Sequence, residues 1–107
     1  MKDAIIVFVT IGFQKEAQRI AKILVQEKLA ACVQVLPQME SFYMWQKKMS
    51  QDKEFLMLIK SRKKLFLKLE KTIQKHHSYE TPQIVALPFV KANASYLKWM
   101  TSCLVSK

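Results

Sequence analysis

Lys75–Pro88 has the sequence Lys-His-His-Ser-Tyr-Glu-Thr-Pro-Gln-Ile-Val-Ala-Leu-Pro, which predicts a junction between a helix and a strand. Thr81 precedes Pro82, and a residue before proline is pushed sterically out of the α region, so an incoming helix must end here. Ile84–Leu87 is a short apolar run that favours a buried strand. The junction contains four side chains that can exchange protons or bind metal: His76, His77, Tyr79 and Glu80.

Two interpretations of these histidines stay open at the level of residue types. A histidine at the end of a helix can bond the last carbonyls and complement the negative end of the helix dipole. A catalytic interpretation makes His76 or His77 a general acid or base, with Lys60 supplying positive charge. The chain has no nucleophile elbow, phosphate loop or paired-carboxylate motif, so we expect a protein that is not an enzyme.

The hydrophobic pattern on both sides of the junction predicts the remaining elements. They are a strand at Ala4–Val9, a helix at Gln14–Leu29, a strand at Ala31–Leu36 that breaks at Pro37 and resumes at Ser41–Trp45, a hairpin turn at Gln46–Lys53, a strand at Glu54–Lys60, a helix capped by Ser61, and a terminal helix capped by Asn93 or Ser95. This βαββαβ order with an additional C-terminal helix predicts an α+β, ferredoxin-like sandwich with an antiparallel sheet. We expect one domain over residues 1–107.

The strands are apolar at successive positions, so both faces of the sheet favour burial. Helices in this architecture cover only one face, and another subunit must cover the second. Tyr43, Met44 and Trp45 point alternately to the two faces, which indicates that the bent second strand, Ala31–Leu36 with Ser41–Trp45, takes part in the contact. The sequence therefore predicts self-association.

The charge is strongly basic, with 16 Lys and 2 Arg against 8 acidic residues and a net charge of +10. Lysine attracts anions without the bidentate geometry of arginine, so we expect weak, salt-sensitive attraction to polyanions. The predicted third strand, Phe55–Ile59, has one aromatic residue and no glycine, unlike the RNA-stacking strand of an RRM. No specific nucleic-acid partner is therefore expected.

Compartment and metal chemistry follow from a few further features of the chain. No apolar run reaches the roughly 18 residues of a membrane span, and the opening run is too short for a signal peptide, so we expect a cytoplasmic protein with no membrane partner.

Cys32 and Cys103 are too few for a disulfide framework or a zinc motif. Imidazole suits copper, nickel or zinc, but no local ligand spacing is strong.

Five segments together resemble the CutA family of divalent-ion tolerance proteins, and they extend over nearly the whole chain. They are Leu29-Ala30-Ala31-Cys32-Val33, Ser41-Phe42-Tyr43-Met44-Trp45 followed by Lys48, Ile59-Lys60-Ser61, His77-Ser78-Tyr79-Glu80-Thr81-Pro82, and Tyr96-Leu97-Lys98-Trp99. The resemblance implies a ferredoxin-like homotrimer that binds copper or another divalent cation and is linked to ion tolerance. An alternative is a trimeric module that binds a small molecule or anion in the cleft between subunits.

The same resemblance implies which residues form the sites. His76 and His77 match the family's proposed copper ligands, and the positions matching the intersubunit cleft are Cys32, Trp45, Lys60, Tyr79, Glu80 and Trp99. The chain departs from the usual family pattern at Val9, Gln46, Ser78 and Gln83. These departures remove a sulfur and two carboxylates, and so predict weaker metal binding in this member.

Overall fold

The computed structural model describes residues 1–106, so Lys107, the last residue of the expected domain, lies outside the described residues. The elements in chain order are β1 (Ala4–Ile11), α1 (Gln14–Gln26), β2 (Cys32–Trp45), β3 (Lys48–Arg62), a 3-10 turn (Lys63–Leu65), α2 (Phe66–His76), β4 (Ile84–Pro88) and α3 (Ala94–Cys103). The predicted order of strands and helices is confirmed.

The four strands form one antiparallel sheet in the order β2-β3-β1-β4. Strand β1 lies inside it, with Val7 opposite Ile59 on one side and Ala86 on the other. Strands β2 and β4 form the two edges. The most apolar strand, β1, is therefore an interior strand of the sheet, as the continuous apolar run at the start of the chain predicts.

One face of the sheet packs against α1 and α2. Its central side chains, Val7, Val9, Met57 and Ile59, are fully buried. Full burial of an apolar side chain contributes about 1.5–3 kcal/mol, so these contacts are a large part of the folding free energy. Helix α3 packs at one end, where Met100 joins a smaller cluster.

The opposite face, which we call the open face, is not covered by α1 or α2, and within the described residues α3 reaches it only at one end, near Ala4 and Lys60. Because side chains alternate along a strand, the open face carries every second residue of the same strands. Val85 and Leu87 remain 48% and 47% exposed there, and Leu36 is 38% exposed. Ile6, Phe8, Leu56 and Leu58 are half-buried on the same face. The prediction that both faces are apolar is confirmed for the described residues.

The hairpin turn is much shorter than predicted. Only Gln46 and Lys47 form it, and Trp45 pairs directly with Lys48, so the expected turn over Gln46–Lys53 is wrong. Both turn residues have positive φ, 49° and 66°, as a two-residue hairpin loop requires. The sequence lacks the usual Asn-Gly signal, and the polar residues after the turn belong to a solvated two-stranded hairpin, residues 39–54, which we call the arm.

Pro37 does not break β2. The strand continues through it, with a register irregularity between Leu36 and Met39. An edge strand tolerates proline, because one side of its backbone has no ladder partner to lose. The arm is therefore one long hairpin projecting beyond the helices, not two separate extended segments.

Ser61 is not a helix cap, so that prediction is wrong. It lies in β3, fully buried, and its hydroxyl donates to the carbonyl of Leu29 at 2.7 Å. Strand β3 instead continues to Arg62, which forms two hydrogen bonds with Asp3 at 3.0 and 3.1 Å. The bond from Arg62 holds the pKa of the Asp3 carboxyl below its ordinary value.

Helix α1 ends at Gln26, three residues earlier than predicted, and the turn that follows it contains a residue in the left-handed conformation. Lys28 has φ 59°, and the turn is closed by bonds from Lys28 N to Val25 O and from Leu29 N to Leu24 O. This is a Schellman-type ending, in which glycine is usual because a side chain in this conformation is disfavoured. Lysine therefore carries a local conformational cost.

Lys28→Gly should raise the free energy of unfolding by about 0.5–1 kcal/mol, because glycine adopts the left-handed conformation without that cost. Urea denaturation measures the change. Lys22→Gly is the control of matched charge: it lies on the exposed side of α1 and should lower the free energy by about 1 kcal/mol. Lower stability in both variants would contradict this account of the helix end.

Candidate functional site

The imidazole of His77 is buried directly after the end of α2, at the start of the loop that leads to β4. It is 8% exposed, and its Nε2 lies 2.9 Å from the carbonyl oxygen of Thr10 at the end of β1. Its Nδ1 accepts a hydrogen bond from the backbone N–H of Tyr79 at 3.0 Å. Since Nδ1 accepts, Nε2 must be the protonated nitrogen that donates to Thr10.

Both nitrogens of His77 are therefore occupied by backbone groups. A metal ligand needs a free imidazole lone pair, and here the lone pair at Nδ1 is used by Tyr79. The ring also contacts Tyr79 with a centroid separation of 4.8 Å. In this geometry His77 fixes the loop to β1, and coordination through it would break one of the two bonds.

Two further side chains hold the same loop. Ser78 Oγ donates to the carboxylate of Glu16 on α1 at 2.9 Å, and Tyr79 Oη donates to Glu54 on β3 at 2.8 Å. A Cβ at Gly12 would lie 3.2 Å from Tyr79 Oη, so the only glycine of the chain permits close approach of the phenol. Desolvation and the neighbouring Glu54 raise the pKa of Tyr79 well above its ordinary value.

A cavity of about 670 Å³ opens beside this loop. It lies between the arm, the end of β1 and the segment before β4, and includes the predicted residues Trp45, Tyr79 and Glu80. Its other lining residues are Thr10, Ser41, Phe42, Tyr43, Asp52, Glu54, Thr81 and Gln83. Among residues 1–106, three carboxylates and no lysine or arginine line it, so it is a locally acidic region of a basic protein.

The carboxylates also act on a second phenol. The hydroxyl of Tyr43 donates to Asp52 across the arm, and that bond raises the pKa of Tyr43. The resemblance did not include Asp52, Glu54 or Thr10 among the site residues. They face the cavity only because the β2–β3 and β1–β3 registers bring them there, which no local sequence signal predicts.

The remaining predicted cleft residues lie at the other end of the sheet. Cys32 pairs with Lys60 across β2 and β3, and the Lys60 ammonium donates to Gln34 at 2.6 Å. It also lies 5.8 Å from the ring centroid of Tyr96, which in turn contacts Trp99. Lys60 lies six positions after Glu54 in β3, about 20 Å away at the rise of a strand. The predicted cleft residues therefore do not form one site within a single chain.

His76 is placed differently from its neighbour. It is the last residue of α2 and is half-buried, and within residues 1–106 its ring nitrogens make no hydrogen bond. The described residues contain no group of three or more His, Cys, Asp or Glu that could hold a metal ion. Residues 1–106 of one chain thus do not provide a ligand set for a resident metal, and neither His76 nor His77 belongs to such a set.

The antiparallel sheet with helices on a single face, an extended β2–β3 arm and a terminal helix defines an α+β protein of the ferredoxin-like class. Residues 5–103 match the family model described as CutA1 divalent ion tolerance protein. The chain belongs to the CutA1 divalent ion tolerance family. In the described residues, no helix has the length and apolar character needed to cross a membrane.

Relatives with similar sequences extend from bacteria to plants. The chain is 41% identical over 95 residues to the divalent-cation tolerance protein CutA of Thermus thermophilus, covering 89% of this chain and 92% of that protein. It is 38% identical over 97 residues to the chloroplastic protein CutA of Arabidopsis thaliana, covering 91% of this chain. It spans only 53% of that plant protein's length.

Solved structures give the same result for the fold. The divalent cation tolerance protein of Thermus thermophilus superposes with a TM-score of 0.93 at 38% identity, covering 95% of this chain and 99% of that chain. CutA1 of Oryza sativa superposes with a TM-score of 0.95 at 35% identity, covering 98% and 96%. The family resemblance and the fold class predicted from the sequence are both confirmed.

Tyr79→Phe should lower the free energy of unfolding by about 1–3 kcal/mol at pH 7, because the buried Glu54 carboxylate loses its donor. It should also flatten the alkaline pH dependence. A phenol whose pKa is raised in the folded protein adds stability below its unfolded value near 10, and that stability is lost as pH rises through the folded value.

Urea denaturation between pH 9 and 11 measures both effects, with Tyr96→Phe as the control. The phenol of Tyr96 makes no hydrogen bond within the described residues, so this variant should follow the wild type. An equally steep alkaline loss of stability in Tyr79→Phe would contradict the role of the Tyr79 hydroxyl.

Proposed function

We propose that this chain acts as a homotrimer that binds divalent cations, with copper the preferred ion, in divalent-ion tolerance. Membership of the CutA1 family supports the link to ion tolerance. The observation that carries the assembly is the apolar open face of the sheet, where Val85, Leu87 and Leu36 remain exposed. Three copies are what the family resemblance implies.

The arm supports the same assembly. Phe42, Met44, Trp45 and Met49 are all more than half exposed on it. A solvated hairpin that presents several large apolar side chains is stabilised when a second copy covers them. Covering the arm and the open face together would remove most of the exposed apolar surface of the strands from water.

Assembly also accounts for a cation site that one chain lacks. His76 offers the imidazole that is not held by backbone groups, and further ligands would come from another copy or from water. Copper is favoured because imidazole binds Cu(II) more tightly than the other divalent first-row ions. The cation is then cargo handled by the assembled protein.

Small-molecule binding at the cleft between subunits is the second candidate, and the 670 Å³ cavity favours it. An anionic ligand would be expected to bind the ammonium group of Lys60, but Lys60 lies outside this cavity. The three carboxylates that line the cavity suit a positively charged ligand instead. We propose binding rather than catalysis, because the occupied nitrogens of His77 support a structural role. A cytoplasmic location stays a prediction.

Leu87→Glu should weaken self-association on the order of a hundredfold, because the interface would have to desolvate a carboxylate at the cost of several kcal/mol. Sedimentation equilibrium at micromolar concentration measures the assembly. Val90→Glu is the matched control: it is 90% exposed, lies beyond the end of β4, and should leave the trimer intact.

Circular dichroism of both variants checks that the monomer folds. A wild type that sediments as a stable monomer would overturn the proposed assembly. Equal assembly of Leu87→Glu and Val90→Glu would overturn the assignment of the open face as the interface.

His76→Ala should reduce Cu(II) affinity, measured by calorimetry, with little change in stability. His77→Ala should instead lower the free energy of unfolding by about 2–4 kcal/mol, because it removes a buried ring and leaves backbone polar groups of Thr10 and Tyr79 without partners. Unchanged copper affinity in His76→Ala would exclude this imidazole as a ligand. It would also favour the small-molecule function.

A further inference from the structure

We propose that the outer surface of helices α1 and α2 binds the sugar–phosphate backbone of a nucleic-acid duplex without sequence preference. We call this surface the helix face and define it as the exposed residues among 14–26 and 63–76. It lies on the opposite side of the sheet from the open face. The inference is independent of the metal and of the cavity.

The helix face is strongly basic, and one exposed acid, Glu27, lies outside it just past the end of α1, where it lines a groove with Lys68 and Lys71. Fourteen of its residues are exposed; eight are basic and none is acidic. The eight are Lys15, Arg19, Lys22, Lys63, Lys64, Lys68, Lys71 and Lys75. Almost half of the 18 basic residues of the chain therefore lie on one surface.

Burial of acids produces this polarity. Glu16 of α1 is 7% exposed and accepts a hydrogen bond from Ser78, so its carboxylate points away from the outer surface. Glu70 of α2 is half-buried. The two acidic residues within these helices thus do little to neutralise the outward lysines, and the resulting field attracts anions over distances of about a Debye length, 10 Å at 0.1 M salt.

The spacing of the cations suits a phosphate backbone. Lys64, Lys71 and Lys75 share one side of the 3-10 turn and α2, and span about 16 Å at a rise of 1.5 Å per residue. On α1, Lys15 and Lys22 are about 10 Å apart by the same rise, and packed helices lie about 8–10 Å apart. A duplex carries about nine charges along 16 Å, and about half of them can face one surface.

The other side chains of the helix face favour a duplex over a single strand or a membrane. Four are glutamines that can hydrogen-bond to phosphate or sugar, and none of the fourteen is aromatic, so stacking on unpaired bases is not supported. Only Val25 and Leu67 are apolar, and the apolar sides of both helices are in the core. Neither helix can insert into a bilayer as an amphipathic anchor does.

Lysines act here as point charges, so recognition depends on salt and not on bases. If about four phosphates are neutralised, the affinity should fall on the order of 10²-fold between 50 and 200 mM salt. Two mixed-sequence duplexes of equal length should bind equally well. Fluorescence anisotropy of a labelled 24-base-pair DNA duplex, titrated with the full chain, measures these affinities.

Two variants of equal net charge test the location. The helix-face variant is Lys15→Gln, Lys22→Gln, Lys71→Gln and Lys75→Gln, and the control variant is Lys48→Gln, Lys53→Gln, Lys91→Gln and Lys98→Gln. All eight positions are exposed, and each variant lowers the charge from +10 by 4 to +6. Glutamine has nearly the helix propensity of lysine, so α1 and α2 should stay folded, as circular dichroism would verify.

The helix-face variant should lose at least about tenfold in duplex affinity at 50 mM salt, and the control variant less than about threefold, because only the first removes contacting cations. Equal losses would overturn the assignment and leave net charge alone as the cause. Full binding by the helix-face variant, or a clear preference between the duplexes, would also overturn it. So would binding to vesicles containing 30% phosphatidylserine without binding to the duplex.

Discussion

The pairing of β1 with β3 on one side and β4 on the other is the constraint on which the rest of the structure depends. It places Val7 between Ile59 and Ala86 and fixes which residues of three strands share a face. A slip of one residue would exchange the core face and the open face, so burial against α1 and α2 holds the register. The same register leaves apolar side chains uncovered on the open face, and that links the fold to self-association.

The loop after α2 is held by polar contacts to three other elements. His77 bonds to the end of β1, Ser78 to α1 and Tyr79 to β3. Buried polar groups are costly when unpaired, and every member of this network has a partner. The loop is therefore a fixed wall of the cavity, and the side chains of His77 and Tyr79 make contacts that hold it in place.

Charge is partitioned by the fold as well. Several of the few acidic residues are used internally: Glu16 and Glu54 accept hydrogen bonds from loop residues, and Asp3 pairs with Arg62. Asp52 and Glu80 line the cavity with Glu54. The lysines of the helix face stay exposed to water. One chain therefore has an acidic cavity and a basic helix face, and the net charge of +10 describes neither surface.

The sequence alone determined the element order and the apolar character of both sheet faces, because these follow from local periodicity. It also determined the family, through motifs distributed along the chain. The extent of the arm and the place of Ser61 in β3 were decided by pairing with distant strands, which local pattern does not encode. Tertiary structure alone brought His77 Nε2 to the carbonyl of Thr10 and Glu54 to the hydroxyl of Tyr79, because those contacts join residues far apart in the chain. It thereby gave His77 surroundings that differ from those of His76.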